Sequence, residues 1–346
     1  MSELQPSDSE KVPAATRALT KKDFMSDQII RWCPGCGDYA ILSQAQTVFA
    51  ELGIPRENFV MISGIGCSSR FPYYVNAYGF HTIHGRAPAF ATGIKASRPE
   101  LSVWIATGDG DSLSIGGNHT AHMLRRNVDV QVLLFNNRIY GLTKGQYSPT
   151  SEPGKKTKST PMGSLDHPFM PLAFALGCEA TFIARSVDIF TKEQREVMRA
   201  AHDHKGASFV EIYQNCNIFN DGAWDSLVDK QVRGERCLFL ENGKPMVFAG
   251  GTKGIKLEGL RPTVVELGNG LTADDCLVHD EADPYLAALL ARMDYPEFPV
   301  PMGVLHRRSR PTYDALFNEQ IAEAKAAAPT ASLKQLLYGG ETWKVE

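Results

Sequence analysis

The chain has no apolar run near the ~20 residues that a membrane-spanning helix needs, so no membrane partner is expected. It also lacks any large excess of one charge: 36 Lys and Arg stand against 39 Asp and Glu, a formal net charge of -3. That balance argues against nucleic acid as the main partner. The one basic run, "KKTK" at 155–158, is short and reads as a solvated loop. There is no internal repeat and no low-complexity tract. The opening stretch "MSELQPSDSEKVPAATRALTKKD" lacks the apolar core of a secretory signal. It reads as a polar, mobile arm over residues 1–25, and a cytoplasmic location follows as the expectation. Thiols stay reduced there, so seven cysteines, an odd number, point to metal or catalysis rather than to a disulfide framework.

What the chain does have is material for a core. Over 346 residues, 43% are hydrophobic, enough for two domains or for one large domain with an extension. Four apolar runs are continuous rather than alternating: 59–66, 101–108, 130–136 and 208–214, with 179–184 a weaker fifth. Continuous runs are the mark of strands buried on both faces. Helical patterns at 39–53, 118–127 and 188–204 lie between them. The alternation predicts an α/β fold, a parallel sheet with helices on both faces, over residues 26–225. The segment 144–168, rich in Gly, Pro, Ser, Thr and Lys, reads as a long loop of the kind that covers binding sites. Beyond residue 225 the alternation fades, and 226–346 reads as a C-terminal extension of mixed structure.

The layout gathers residues up to 149 positions apart on one edge. Cys67 in "GIGC", Asp109 in "TGDG", Asn137 in "FNN" and Cys216 in "QNC" each follow the C-terminal end of an expected strand. Ligands of open parallel sheets bind just beyond those ends. In "TGDGDSLSIGGNH", Gly108 and Gly110 let backbone approach a phosphate, and Asp109 offers a hard oxygen. Asn137 adds an amide oxygen and Ile139 a carbonyl. With two phosphate oxygens and a water these complete the octahedral shell of Mg²⁺. The helix starting near Asn118 could aim its N-terminal dipole at the anion. A lone G-D-G is an ordinary turn. A G-D-G followed by N-N after the 25 residues 111–135 is far more specific. It resembles the thiamine-diphosphate signature, which implies Asp109, Asn137 and the Ile139 carbonyl as metal ligands. Asp111 joins them as a cofactor-binding candidate, or else caps the following helix.

"CPGCGD" places Cys33 and Cys36 in a C-x-x-C turn. Zinc is the plain reading, but a zinc site wants four ligands, commonly a second C-x-x-C or a paired His motif, and neither is present. The isolated Cys67 and Cys216 remain. Four thiolates from Cys33, Cys36, Cys67 and Cys216 suit a [4Fe-4S] cluster. Cys178, Cys237 and Cys276 have no motif context and read as small buried hydrophobes.

Taken together, "CPGCGD", "GIGCSSRFPYY", "HGRAPAFATGIKA", "GDGDSLSIGGNH", "YGLTKGQYSPT" and "NCNIFN" occur in one order over residues 25–225. They resemble the β subunit of the 2-oxoacid:ferredoxin oxidoreductases, most like the 2-oxoglutarate enzymes. The resemblance implies thiamine diphosphate, Mg²⁺ and a [4Fe-4S] cluster as cofactors. It implies oxidative decarboxylation of 2-oxoglutarate with coenzyme A to succinyl-CoA, with electrons passing to ferredoxin, a reaction that can run backwards as a carboxylation. Gly66, Cys67, His84, Gly141 and Leu142 join the G-D-G and N-N residues around the cofactor.

In the family's pattern Arg70, three residues after Cys67, meets a substrate carboxylate, which a guanidinium grips in bidentate fashion. A solvated loop arginine is the alternative. His84 and Arg86 of "HGR" fall in a segment that contacts cofactor or substrate, although a lone histidine is commonly structural. Leu142 lines the acyl pocket by the same resemblance, and Lys144 and Gln146 could cover the site. Tyr73 and Tyr74 read as core aromatics. The glutamate that activates the aminopyrimidine has no place in this chain. In the family it comes from a separate α subunit of an α₂β₂ assembly, so an apolar face reserved for that partner is expected. The competing readings are a pyruvate or broad-specificity subunit and a zinc-binding interaction module.

Overall fold

The computed structural model describes residues 17–327, 332–341 and 343–345. Its centre is an eight-stranded sheet of order β2-β1-β3-β4-β6-β5-β11-β7. The strands are β1 (Phe59–Ser63), β2 (Tyr78–His81), β3 (Ser102–Gly108), β4 (Gln131–Asn136), β5 (Phe182–Val187), β6 (Ser208–Tyr213), β7 (Cys237–Phe239) and, from far along the chain, β11 (Val300–Arg307). Between the last two, β8 (Val247–Phe248), β9 (Lys253–Glu258) and β10 (Arg261–Glu266) form a small antiparallel sheet. All pairs of the large sheet are parallel except β5 with β11.

Alternate residues of each strand go to opposite faces. Val60, Ile62, Val103, Ile105, Val132 and Leu134 meet the helices Ala87–Ser97, Gly117–Arg126 and Pro171–Gly177. Phe59, Met61, Trp104, Leu133 and Phe135 meet Asp38–Glu51 and Thr191–Asp203 on the other face. Both faces are thus covered, which is why these strands read as unbroken apolar runs. The strand order reverses between β1 and β3, and their C-terminal ends, Ser63 and Gly108, open the crevice where ligands of such sheets bind. No helix among the described residues is long and apolar enough to cross a membrane.

Three expectations need amendment. The polar arm was expected to extend to residue 25. Residues 1–16 lie outside the described residues, but Lys21–Phe24 forms a helical turn whose Phe24 is fully buried against Phe49 and Phe59. Aromatic burial anchors this end of the arm. The fifth strand runs 182–187 rather than 179–184, because Glu179 has φ +65° and Ala180 closes the preceding helix before extension begins. The segment after 225 does not stand apart: β11 and β7 extend the main sheet, and Leu238, Leu286, Leu290 and Leu305 share a core with β1, β3 and β4. The 144–168 segment is a long connection without helix or strand, pinned by bridges at Tyr140–Gln146 and Thr157–Thr160.

Candidate active site

Asp109 leaves the end of β3 and is 2% exposed. Burial pushes its carboxyl up to about 6, while the hydroxyls of Ser148 and Thr150, each 2.5 Å from Oδ2, pull it down. A buried carboxylate with hydroxyl donors and no cationic partner is suited to receive a metal ion. Gly110 cannot be otherwise: a Cβ there would lie 2.1 Å from the Tyr140 ring, whose hydroxyl donates to the Gly110 carbonyl at 3.1 Å. Gly108 is next to Ser68, and Gly66, at φ +123°, has open space where a side chain would stand. Asn137 follows β4. Its Nδ2 donates to Gln214 Oε1 (2.8 Å) and its Oδ1 accepts the N–H of Ile139 (3.1 Å). Arg138 between them has φ +56°, and this turn brings the buried Ile139 back to the same edge. These residues fit a diphosphate held through a divalent cation.

Asp111, expected either to touch the cofactor or to cap a helix, is occupied by the protein. It is 4% exposed. Its Oδ1 accepts the N–H groups of Gly85 (2.9 Å) and Ile65 (3.2 Å), and its Oδ2 accepts the Thr107 hydroxyl (3.0 Å). His84 stands 3.4 Å from the same carboxylate, with its side chain 61% exposed at the mouth of the crevice. Asp111 therefore clasps three strand-end loops together and fixes the base of His84.

Cys67 and Cys216 converge on Gly141, where a Cβ would lie 3.3 Å from the Cys216 sulfur and 3.8 Å from that of Cys67. Gln214 Nε2 donates to Cys36 Sγ at 3.3 Å, and the Trp32 indole donates to the Cys67 carbonyl at 2.7 Å. Cys33 is exposed; the other three are half-buried. Burial, the neighbouring Asp38 and the other thiols push Cys67 up to about 12 and raise Cys36 as well. As thiolates these sulfurs repel one another, and a cationic centre would relieve that. Among the described residues no three His, Cys, Asp or Glu side chains come close enough to hold one metal ion. A tetrahedral zinc needs its four ligands about 2.0–2.3 Å from one point, which these side chains do not provide, whereas a [4Fe-4S] cluster takes each thiolate on a different iron. Cys237 and Cys276 are buried, whereas Cys178, read as a buried hydrophobe, is half-buried at the end of the helix Pro171–Gly177.

Arg70 ends the Ser68–Arg70 turn, half-buried, and its charge pulls the Cys67 thiol down. Leu142 is 45% exposed, and Lys144, at φ +77°, lies on the tip closed by the Tyr140–Gln146 bridge. The Gln146 side chain bonds back to Thr143 rather than toward the crevice. Tyr74 is a buried core aromatic, whereas Tyr73 is 52% exposed. Two features were not foreseen. The hydroxyls of Ser148 and Thr150 in "YSPTS" reach Asp109, and Asp38, 1% exposed beside Cys36, has no hydrogen-bond partner on either oxygen among the described residues. Burial raises Asp38 to about 7, with Asp188 adding to the effect. A surface recess of about 490 Å³ borders this region, lined by Pro34–Gly37, Tyr39, Ala40, Asp188, Ile189 and Asn215.

Residues 64–212 match the family model described as the C-terminal TPP-binding domain of thiamine pyrophosphate enzymes. Over 341 residues the chain is 53% identical to the 2-oxoglutarate oxidoreductase subunit KorB of Mycobacterium tuberculosis, covering 97% of this chain and 91% of that one. A 2-oxoacid:ferredoxin oxidoreductase subunit beta of Aeropyrum pernix is 48% identical over 190 residues, 55% of this chain and 60% of its own length. Among solved structures, the 2-oxoglutarate:ferredoxin oxidoreductase from Magnetococcus marinus, with 2-oxoglutarate, coenzyme A and succinyl-CoA bound, superposes with a TM-score of 0.75. It is 35% identical and covers 96% of this chain and all of that one.

Proposed function

Because this chain belongs to the family of 2-oxoacid:ferredoxin oxidoreductase β subunits, we propose that it is the β subunit of an enzyme converting 2-oxoglutarate and coenzyme A to succinyl-CoA and CO₂. A [4Fe-4S] cluster, where bound, would supply one-electron transfer toward ferredoxin. The observation that carries this reading is the convergence of Cys67 and Cys216 on Gly141, three residues after Arg138 in the turn that also bears Asn137 and Ile139. On this reading one turn would serve both the diphosphate's metal and an electron acceptor.

Bound there, thiamine diphosphate supplies carbanion stabilisation and the cluster supplies one-electron transfer. The chain's own residues hold and shape. Asp109, Asn137 and the Ile139 carbonyl would hold the metal, and Gly108 and Gly110 would leave room for the phosphates. His84, seated on Asp111, reaches into the mouth of the crevice as a donor. Arg70 meets the distal carboxylate of 2-oxoglutarate, with Leu142 and Lys144 covering the acyl side. Cys33, Cys36, Cys67 and Cys216 would hold the cluster, with Cys33 on its exposed side.

The crevice is open on one flank. Phe80, Ile83, Phe90 and Ile115 are 43–68% exposed around it, on and beside the edge strand β2. That apolar rim suits a partner subunit bringing the aminopyrimidine-binding half and its glutamate. The isolated chain should therefore show no turnover.

Co-purification with the partner subunit without oxygen, followed by iron, acid-labile sulfide and zinc analysis, tests the reading. About four irons and four sulfides per β chain are expected, with turnover of 2-oxoglutarate exceeding that of pyruvate. About one zinc and no sulfide overturns it. Faster turnover of pyruvate assigns the complex to the pyruvate branch instead.

A further inference from the structure

Asp109 and Asn137 stand just past the ends of different strands, β3 and β4, so something must set the distance between them. The turn Ser148–Ser151 touches both sides. Ser148 Oγ and Thr150 Oγ1 each lie 2.5 Å from Oδ2 of Asp109, and Thr150 Oγ1 lies 2.9 Å from Oδ1 of Asn136. Ser151 Oγ donates to the carbonyl of Arg138 at 2.6 Å. The turn closes on itself, with the Ser148 N–H donating to Ser151 Oγ (2.8 Å) and the Ser151 N–H to the Ser148 carbonyl (3.0 Å). All three hydroxyl residues are 2–3% exposed, so water does not compete for these bonds.

We propose that this turn is a bracket for the metal site, with Ser148 and Thr150 as positioning residues that act through Asp109. The inference rests on the thiamine diphosphate and Mg²⁺ reading of the crevice. Two hydroxyl donors on a single carboxylate oxygen fix the plane of the group and leave Oδ1 for the cation. They also stabilise a charge that burial alone disfavours. The third hydroxyl ties the same turn to the backbone beside Asn137. Metal ligands held in this way keep their geometry before the metal arrives, and loss of such outer partners costs about 10–100-fold in metal affinity. The bracket also anchors the segment that begins with Leu142 and Lys144, so the residues assigned to the substrate are positioned by contacts at the metal's carboxylate.

Mn²⁺ in place of Mg²⁺ provides the test, titrated into the co-purified complex with thiamine diphosphate and followed through the paramagnetic resonance signal of the free ion. Thr150→Val should weaken Mn²⁺ binding about tenfold or more, and Thr150→Ser should restore it to within about threefold. In steady state the Val variant should need more Mg²⁺ and thiamine diphosphate for half-maximal turnover, with kcat at saturation much less affected. A Val variant that binds Mn²⁺ as tightly as the unmodified complex overturns the bracket. So does a Ser variant as weak as the Val variant, since the hydroxyl would then be irrelevant. If the unmodified complex shows no thiamine-diphosphate-dependent Mn²⁺ uptake, the cofactor reading itself fails and the bracket with it.

Discussion

Oδ1 of Asp111 lies 2.9 Å from the amide nitrogen of Gly85 and 3.4 Å from Nδ1 of His84. One buried carboxylate thereby joins the loop after β3 to the loop that carries the exposed histidine. Asp111→Ala would leave the N–H groups of Gly85 and Ile65 and the hydroxyl of Thr107 without their acceptor. Stranding three buried donors should cost about 3 kcal/mol or more. Asp111→Asn keeps an acceptor and should lose about 1 kcal/mol. Urea unfolding of the two variants measures the difference, and equal losses would contradict the clasp.

Gly141 predicts a defect of a different kind. Its backbone has no positive φ, so an Ala methyl is conformationally acceptable, but it would enter the gap between Cys67 and Cys216. Because the methyl would stand 3.3 Å from the Cys216 sulfur, Gly141→Ala should cost the cluster-free protein about 1 kcal/mol or less. Iron and sulfide per chain should fall by about half or more, and full iron loading would show that the gap holds no cluster.

Arg70 is assigned to substrate choice. Replacing it with Gln removes a charged, bidentate donor. The expected result is a fall of about 100-fold in kcat/KM for 2-oxoglutarate, with pyruvate changed by about threefold or less. A parallel fall for both substrates would place Arg70 elsewhere in the reaction.

Acid should weaken the fold partly through His204. Burial lowers this imidazole to about 4, and its Nε2 lies 2.7 Å from the Thr181 hydroxyl. The unfolded chain takes up a proton near pH 6.5 that the folded chain refuses until about pH 4. Its contribution is therefore complete above about pH 6.5 and is lost as the pH falls toward 4. Asp109, raised to about 6, has the opposite sign, favouring the cofactor-free fold at low pH and losing that contribution as the pH rises through 6. Comparing the parent with His204→Gln at pH 7.5 and 5.0 isolates the histidine, and the variant should lose less stability on acidification.

Much of this molecule can be read from its residues, and the remainder fails for identifiable reasons. β1, β3, β4 and β6 are apolar on both faces, and an unbroken apolar run needs no partner to be noticed. β2 escapes because all four of its residues, Tyr78–His81, are exposed at the sheet edge. β11 escapes because "VPMGVLHR" carries a proline and a glycine, with Gly303 at φ +102°, and its partner β5 lies far back in the chain. In the crevice, Asp109, Asn137, Cys67 and Cys216 can be found because strand ends and spacing mark them. Ser148 and Thr150 look like ordinary turn residues. Only the fold shows that their hydroxyls meet a carboxylate 39 and 41 positions away.

The antiparallel strand Val300–Arg307 lies between β5 and β7, near the far end of the chain. During synthesis every residue of the crevice has been made well before that strand leaves the ribosome. Until it arrives, β5 is an open edge whose six buried residues invite pairing with other chains. Synthesis of the crevice and closure of the sheet edge are thus separated in time, with the second waiting on Val300–Arg307. A fragment ending near residue 225 would carry every residue assigned to the cofactors and still be poorly soluble.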